Sequence, residues 1–224
     1  MKKRFLQPFV LQVLYKGFLQ WFLKIIVGVG FGDNRFLKQE EQFIIIANHN
    51  SHLDTLSLMA SLPGSILWKV KPVAAEDYFG KTKTRAAFSN YFINTLLIRR
   101  KMSREPGGNP IDKMLEALDE GYSLILFPEG TRSTTDHMEK MKPGIARVLA
   151  ARPHIKYVPV YLTGMRESLP KGEMLVLPYK SSVNYGVPTL ASSTNVDIIM
   201  QQINSDFEAM RTRYQPYIAN EDED

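Results

Sequence analysis

The chain has 224 residues, with 28 Lys and Arg against 23 Asp and Glu, a formal charge of +5 and an isoelectric point near 9.3. It contains no cysteine, which excludes disulfides, thiol catalysis and cysteine-bound zinc. Its ordinary apolar and charged fractions fit one folded domain and exclude wholesale disorder, and the basic balance favours an anionic partner, either nucleic acid or a lipid surface.

Residues 5 to 31 are rich in Phe, Leu, Ile and Val, broken at Gln12, Lys16, Gln20 and Lys24. Steps of four advance about 40° each on a helix, so these four line up as a narrow polar stripe. Phe18, Trp21, Phe22, Ile25 and Val29 lie largely away from it. No run of about 20 uncharged apolar residues interrupts this pattern, so an ordinary membrane span is not expected. A broad apolar face, a Trp and spaced Lys residues fit a helix, or helical hairpin, lying in the headgroup region over residues 1–32. Lys2, Lys3 and Arg4 add attraction to anionic lipid, roughly 1 kcal/mol each. A core helix of a soluble protein is the alternative. A signal peptide is disfavoured by Pro8, by the regular polar breaks and by the missing small-residue cleavage site. The expectation is a peripheral or monotopic membrane protein on the cytoplasmic face. Pro8 belongs in the first turn or at a kink, and Gly28, Gly30 and Gly32 end the helix.

Residues 43 to 47 (FIIIA) read as a strand buried on both faces. A loop at 48 to 50 follows, then a helix from near His52, closed by Pro63-Gly64. Next come a strand at 66 to 70, a helix at 82 to 92 and a strand at 95 to 98 that runs into Arg99, Arg100 and Lys101. A turn-rich loop at 106 to 110 precedes a helix marked by Ile111, Leu115 and Leu118, with Gly121 as its cap. Residues 122 to 127 form a strand stopped by Pro128, and a helix of residues 145 to 151 follows Pro143-Gly144. Strands are expected at 156 to 162, 174 to 177 and 181 to 185. A last amphipathic helix carries Val196, Ile199, Ile203, Phe207, Met210 and Tyr214, and residues 217–224 are an acidic tail. Strands alternating with helices predict an α/β fold over residues 33–216, with a mixed, largely parallel central sheet flanked by helices. Reactive loops then gather at the strand ends.

Two strings carry chemistry. In NHNSHLD (48–54), Ser51 and Asp54 have capping-box spacing, which places His49 on the turn before the helix. From there its ring can fold back onto the Asp54 carboxylate, which fixes the tautomer and leaves the other ring nitrogen free to take a proton. His52 is the rival base, and Asp54 as a plain helix cap is the structural alternative. In FPEGTRS (127–133), Gly130 allows close backbone approach, Arg132 offers a planar fork for phosphate, and Thr131 and Ser133 add hydroxyls. Glu129 is expected to accept a bond from an acceptor hydroxyl or to orient Arg132. A polar turn with a surface Glu–Arg pair explains the same residues. The basic run Arg99, Arg100, Lys101 and Arg104 lacks interleaved aromatics, so no nucleic acid is expected there.

Together NHxSxxD and, about 80 residues later, FPEGTRS resemble the phospholipid/glycerol acyltransferase family, typified by 1-acylglycerol-3-phosphate acyltransferases. Arg100 resembles that family's acceptor-phosphate arginine. Val158-Pro159-Val160, Lys142-Pro143-Gly144 and Gly186-Val187-Pro188 extend the likeness over residues 43 to 190. The family usually has a glycine before the apolar run and an acid before the arginine; here Asn94 and Arg99 stand instead. The resemblance implies direct transfer, with His49 as base, Asp54 behind it, Arg100 and Arg132 on the acceptor phosphate, and Glu129, Gly130 and Thr131 shaping its pocket. Ser133 joins that group, with Asn48, Ser51 and Lys142 as secondary candidates. Ser51 as a covalent nucleophile is a minor alternative. No metal and no bound cofactor are implied, since acyl-coenzyme A or acyl-carrier protein is the co-substrate. The implied acceptor is a lysophospholipid, with glycerol-3-phosphate, a lyso-ornithine lipid or a glycolipid as other acceptors, and a non-catalytic lipid-binding protein as a further alternative.

Overall fold

The five residues Phe43–Ala47 form strand β2, and every one of them is buried. β-Branched side chains suit an extended backbone, and a strand packed on both faces belongs in the middle of a sheet. The computed structural model describes residues 6–76, 83–99, 109–130, 141–169 and 177–214. Among these, strands β1 (Val29–Phe31), β2, β3 (Val70–Ala75), β4 (Leu96–Ile98), β5 (Ser123–Leu126), β6 (Lys156–Thr163) and β7 (Ser181–Tyr185) make one sheet in the order β1-β7-β6-β2-β5-β3-β4. Only the β6–β7 pair is antiparallel, so β1 and β7 run against the other five strands. This is the mixed, mostly parallel sheet expected.

The described helices are α1 (Gln7–Val27), α2 (Leu53–Ser61), α3 (Lys83–Phe88, continued by π-helical turns over Ser89–Ile93), α4 (Pro110–Asp119), α5 (Gly144–Ala151), α6 (Met165–Ser168) and α7 (Val196–Tyr214). Period-two alternation splits the core in two. Phe43, Ile45 and Ala47 share one face with Ile125, Val158 and Val160, under α1 and α2. Ile44 and Ile46 face the other way with Leu124, Leu126 and Tyr157, under α4, α5 and α7. Fully burying one such isoleucine stabilises the fold by roughly 1.5–3 kcal/mol, so β2 is anchored from both sides.

Helix α1 reverses the expected use of its polar stripe. Leu11, Tyr15, Leu23 and Val27 are buried in the first core, whereas Phe9, Val13, Phe18, Trp21, Ile25 and Ile26 are exposed. Two stripe residues turn inward. Lys16 Nζ donates to Ala60 O at 2.6 Å and Gln12 Nε2 donates to Gly64 O at 3.2 Å. The reason is the end of α2, whose last carbonyls lack intrahelical partners and attract a cation. Burial pulls the Lys16 ammonium down to about 8. Pro8 sits in the first turn, where its missing N–H costs nothing. Gly28 ends the helix at φ +90°, a left-handed conformation that favours glycine. The helix therefore stops at Val27, and Val29–Phe31, expected within the terminal segment 1–32, join the sheet as β1 beside Ser181–Val183.

Other boundaries moved for identifiable reasons. The strand expected at 66 to 70 is a 3-10 helix, Gly64–Lys69, and β3 starts at Val70. The Asn94 amide binds that corner, donating to Trp68 O at 3.0 Å and Val70 O at 2.9 Å. The strand expected at 174 to 177 falls mostly outside the described residues, as does the tail at 217–224. Leu177, which is described, lies outside any strand and donates its N–H to Ser168 O at 2.8 Å.

Candidate active site

The chain leaves β2 into a loop held by side chains rather than by a ladder. Asn48 is buried; its amide donates to Leu162 O at 2.9 Å and accepts from the Leu162 N–H at 2.7 Å, pinning the loop to β6. Ser51 Oγ accepts from the Leu53 N–H at 3.3 Å, and the Ser51 N–H donates back to Asp54 Oδ2 at 2.8 Å. The Asp54 half of the expected capping box is present, but the Ser51 hydroxyl takes the Leu53 N–H while the Asp54 N–H goes to Ser51 O, and α2 is counted from Leu53 with His52 as its N-cap. Asp54 is wholly buried, and its Oδ2 also accepts from the Asn50 N–H at 2.7 Å.

The third partner of that oxygen is His49 Nδ1, at 2.8 Å. With backbone N–H groups filling its other sites, the carboxylate oxygen is an acceptor, so Nδ1 carries the proton and Nε2 carries the lone pair. The imidazole remains 21% exposed beside its fully buried partner, so one ring nitrogen is held and the ring is still reachable. Its face stacks on Phe127, with centroids 4.3 Å apart.

Phe127 belongs to the second string, which leaves β5 next to the β2 loop. Glu129 is buried, and its Oε1 accepts from the His49 N–H at 2.9 Å. Glu129 thereby fastens the two loops together, because a buried backbone N–H needs a partner; Arg132, one of its expected partners, lies outside the described residues. Gly130 adopts φ +71°, and Lys142 packs where a side chain would stand. The Lys142 N–H donates to Pro128 O at 2.9 Å, which fixes that neighbour. Arg100, Thr131, Arg132 and Ser133 lie outside the described residues.

A cavity of about 740 Å³ opens at the carboxyl ends of the parallel strands, where α/β sheets bind ligands. His49, Gly130, Lys142 and Arg147 line its polar part, and Leu56, Val73, Ile93, Ile98, Ile111 and Met114 are among its apolar walls. His52 also lines it, while the Asp54 carboxylate is committed to His49. At the far edge Arg99 pairs with Glu76 at 3.5 Å. Glu76 and Arg99 directly follow the registered pair Ala75 and Ile98, so their side chains meet across neighbouring strands. Asn94, in the family's glycine position, takes φ +61°, the conformation glycine would supply. Sequence reasoning missed Arg147, because nothing in the local pattern separates a cavity-facing arginine in α5 from a solvated one.

A family model described as Acyltransferase matches residues 29–163, more than half of the chain. The chain belongs to the acyltransferase family. Similar acyltransferases include the 1-acyl-sn-glycerol-3-phosphate acyltransferase of Limnanthes douglasii, 30% identical over 165 residues, covering 71% of this chain and 54% of that one. The human 1-acyl-sn-glycerol-3-phosphate acyltransferase alpha is 27% identical over 137 residues (59% and 44%), and Taffazin of Dictyostelium discoideum is 31% identical over 141 residues (58% and 48%). This acyltransferase chain thus spans about half the length of the curated relatives it matches. The crystal structure of the 1-acyl-sn-glycerophosphate (LPA) acyltransferase PlsC from Thermotoga maritima superposes with a TM-score of 0.76 at 18% identity, covering 98% of this chain and 86% of that one. The two share a fold.

Proposed function

We propose that this acyltransferase moves a fatty acyl group from an acyl thioester to the free hydroxyl of a lysophospholipid, with 1-acylglycerol-3-phosphate as acceptor and phosphatidic acid as product. The observation that carries the proposal is the His49 Nδ1–Asp54 Oδ2 bond of 2.8 Å at the lip of a largely apolar cavity. The acceptor hydroxyl gives its proton to Nε2 as its oxygen attacks the thioester carbonyl. The tetrahedral intermediate collapses, the C–S bond breaks, and the imidazolium returns the proton to the leaving thiolate. Asp54 holds the ring in one tautomer and stabilises the imidazolium while it exists. General-base help of this kind is worth about 10² to 10⁴ in rate, and positioning of the two co-substrates supplies much of the rest.

The cavity has the size of a small-molecule site, and its Leu, Ile, Val and Met walls fit an acyl chain. Acyl-coenzyme A or acyl-carrier protein is the donor, and the thioester is activated enough to need no further electrophile. On the resemblance of their motifs, Arg100, Arg132, Thr131 and Ser133 hold the acceptor phosphate. Ser51 does not serve as a nucleophile in this scheme. It is 1% exposed, and its Oγ already donates to Leu169 O at 3.2 Å and accepts from Leu53 N–H.

The same reading seats the protein on a membrane, at the cytoplasmic face, through α1. By length and composition α1 is a candidate to cross a bilayer. Its Leu11, Tyr15, Leu23 and Val27 nevertheless belong to the domain core, which favours lying along the interface with the outward row of aromatic and aliphatic side chains in lipid.

The test is a product assay. Purified protein on mixed vesicles is given labelled acyl-coenzyme A or acyl-carrier protein and a panel of lysophosphatidic acid, glycerol-3-phosphate, lyso-ornithine lipid and glycolipid. Labelled phosphatidic acid as the main product is expected. Transfer to another acceptor in preference, or to none, contradicts the acceptor assignment.

A further inference from the structure

The guanidinium groups of Arg35, Arg99, Arg152, Arg166 and Arg211 are each matched to a carboxylate, Asp33, Glu76, Asp119, Glu167 and Glu208 respectively. Arg147 is not. It stands on the first turn of α5, exposed and lining the cavity, with no carboxylate partner among the described residues. Lys142 lines the same cavity, two residues before α5, and likewise has no carboxylate among the described residues. Its placement is built rather than incidental, since its backbone is bonded to Pro128 O and its side chain occupies the space that Gly130, at φ +71°, leaves open. Between them α5 begins at Gly144, also in the cavity wall, with no side-chain cap on its N-terminus. Two unmatched cations and an uncapped helix start therefore converge on a cavity that also holds His49. Both the charge and the donors point to an anion. A planar guanidinium beside an ammonium suits phosphate oxygens.

We propose that Arg147, together with Lys142, holds a phosphate group of a co-substrate at the α5 side of the cavity. Arg147 is thereby a specificity-determining residue outside both sequence motifs. The inference rests on the acyl-transfer reading for the identity of the ligand, but the site itself rests on the geometry. The phosphate has two possible sources, the headgroup of the acceptor or the phosphate that follows the pantetheine arm in the donor, and the experiment separates them.

Initial rates are measured for wild type, Arg147→Ala, Arg147→Lys and the control Arg35→Ala, a surface arginine outside the cavity. The co-substrates are lysophosphatidic acid or monoacylglycerol as acceptor, and acyl-coenzyme A or acyl-pantetheine as donor. Arg147→Ala is expected to raise KM about tenfold or more for one phosphate-bearing co-substrate, in keeping with loss of a charge-assisted bond. Arg147→Lys should recover part of that loss, and Arg35→Ala should match wild type. The effect should vanish when the phosphate is removed from that co-substrate alone, which identifies the source. A KM increase that persists with both phosphate-free co-substrates, or no change at all, overturns the proposal. Calorimetric titration with lysophosphatidic acid and with coenzyme A gives a readout independent of turnover. Binding of one of them, weakened about tenfold in Arg147→Ala and not in Arg35→Ala, supports the site even if wild type transfers no acyl group. Equal binding by wild type and Arg147→Ala, or binding of neither probe, overturns it.

Discussion

Asp54 is the residue on which the local structure turns. A single oxygen, Oδ2, gathers the Asn50 N–H, the Ser51 N–H and His49 Nδ1 within 2.7 to 2.8 Å. Helix start and imidazole orientation are thus one feature, since the same carboxylate oxygen serves the chain entering α2 and the histidine ring. Asp54→Asn keeps the shape but replaces one acceptor oxygen with either a neutral oxygen or a donor that clashes with those N–H groups. Kinetics and thermal unfolding should show kcat reduced about 100-fold or more, as expected for a wrong tautomer, with a stability loss of about 1–3 kcal/mol. Normal kcat with lowered stability would reduce Asp54 to a cap. His49 and Asp54 were legible because five residues separate them across a capping box. The bond that Glu129 Oε1 accepts from the His49 N–H was not, since a contact spanning 80 residues leaves no mark in local pattern.

Among the elements, the corner at Asn94 shows how a departure from a family pattern is absorbed. A left-handed residue is required where α3 and its π-helical turns hand over to β4, and asparagine tolerates φ +61° better than other non-glycine residues. It adds what glycine cannot, two bonds to the carbonyls of Trp68 and Val70 that hold the start of β3. Asn94→Gly should lose those bonds but keep the backbone, whereas Asn94→Ala should lose both. Chemical denaturation is expected to place the alanine variant about 1–2 kcal/mol below the glycine variant. Equal stabilities would show that the left-handed conformation carries no cost here. Strands β2 and β6 were readable as continuous apolar runs, buried almost throughout, and α7 because its buried residues Ile199, Ile203, Phe207 and Met210 recur at helical spacing. The 3-10 helix Gly64–Lys69 was not, because its short apolar run Ile66, Leu67 and Trp68 reads as a strand, and the bonds from Asn94 and Gln12 that hold it come from distant parts of the chain.

For the whole molecule, α1 and the sheet are inseparable. Leu11, Tyr15, Leu23 and Val27 fill the first core, and β1 follows directly at the sheet edge, so removing residues 1 to 30 would expose that core as well as any lipid-binding face. The lipid role is better tested on the outward row. Phe18 and Trp21 are 59% and 55% exposed, so Phe18→Ser with Trp21→Ser should leave the unfolding temperature unchanged within about 2 °C. Co-sedimentation with anionic vesicles should fall about tenfold or more, from the apolar area withdrawn from lipid. Undiminished vesicle binding would place the contact elsewhere. Composition and charge left nucleic acid and an anionic lipid surface both open, and the direction of the polar stripe could not be known before the end of α2 was placed beside Lys16.

All three scales converge on the lone pair of His49 Nε2. The most direct measurement is the initial rate of acyl transfer to lysophosphatidic acid by wild type and His49→Ala, each shown to be folded by circular dichroism. A fall of 10² to 10⁴ in kcat is predicted, the worth of a positioned general base. Rates within twofold of each other would mean that His49 is not the base.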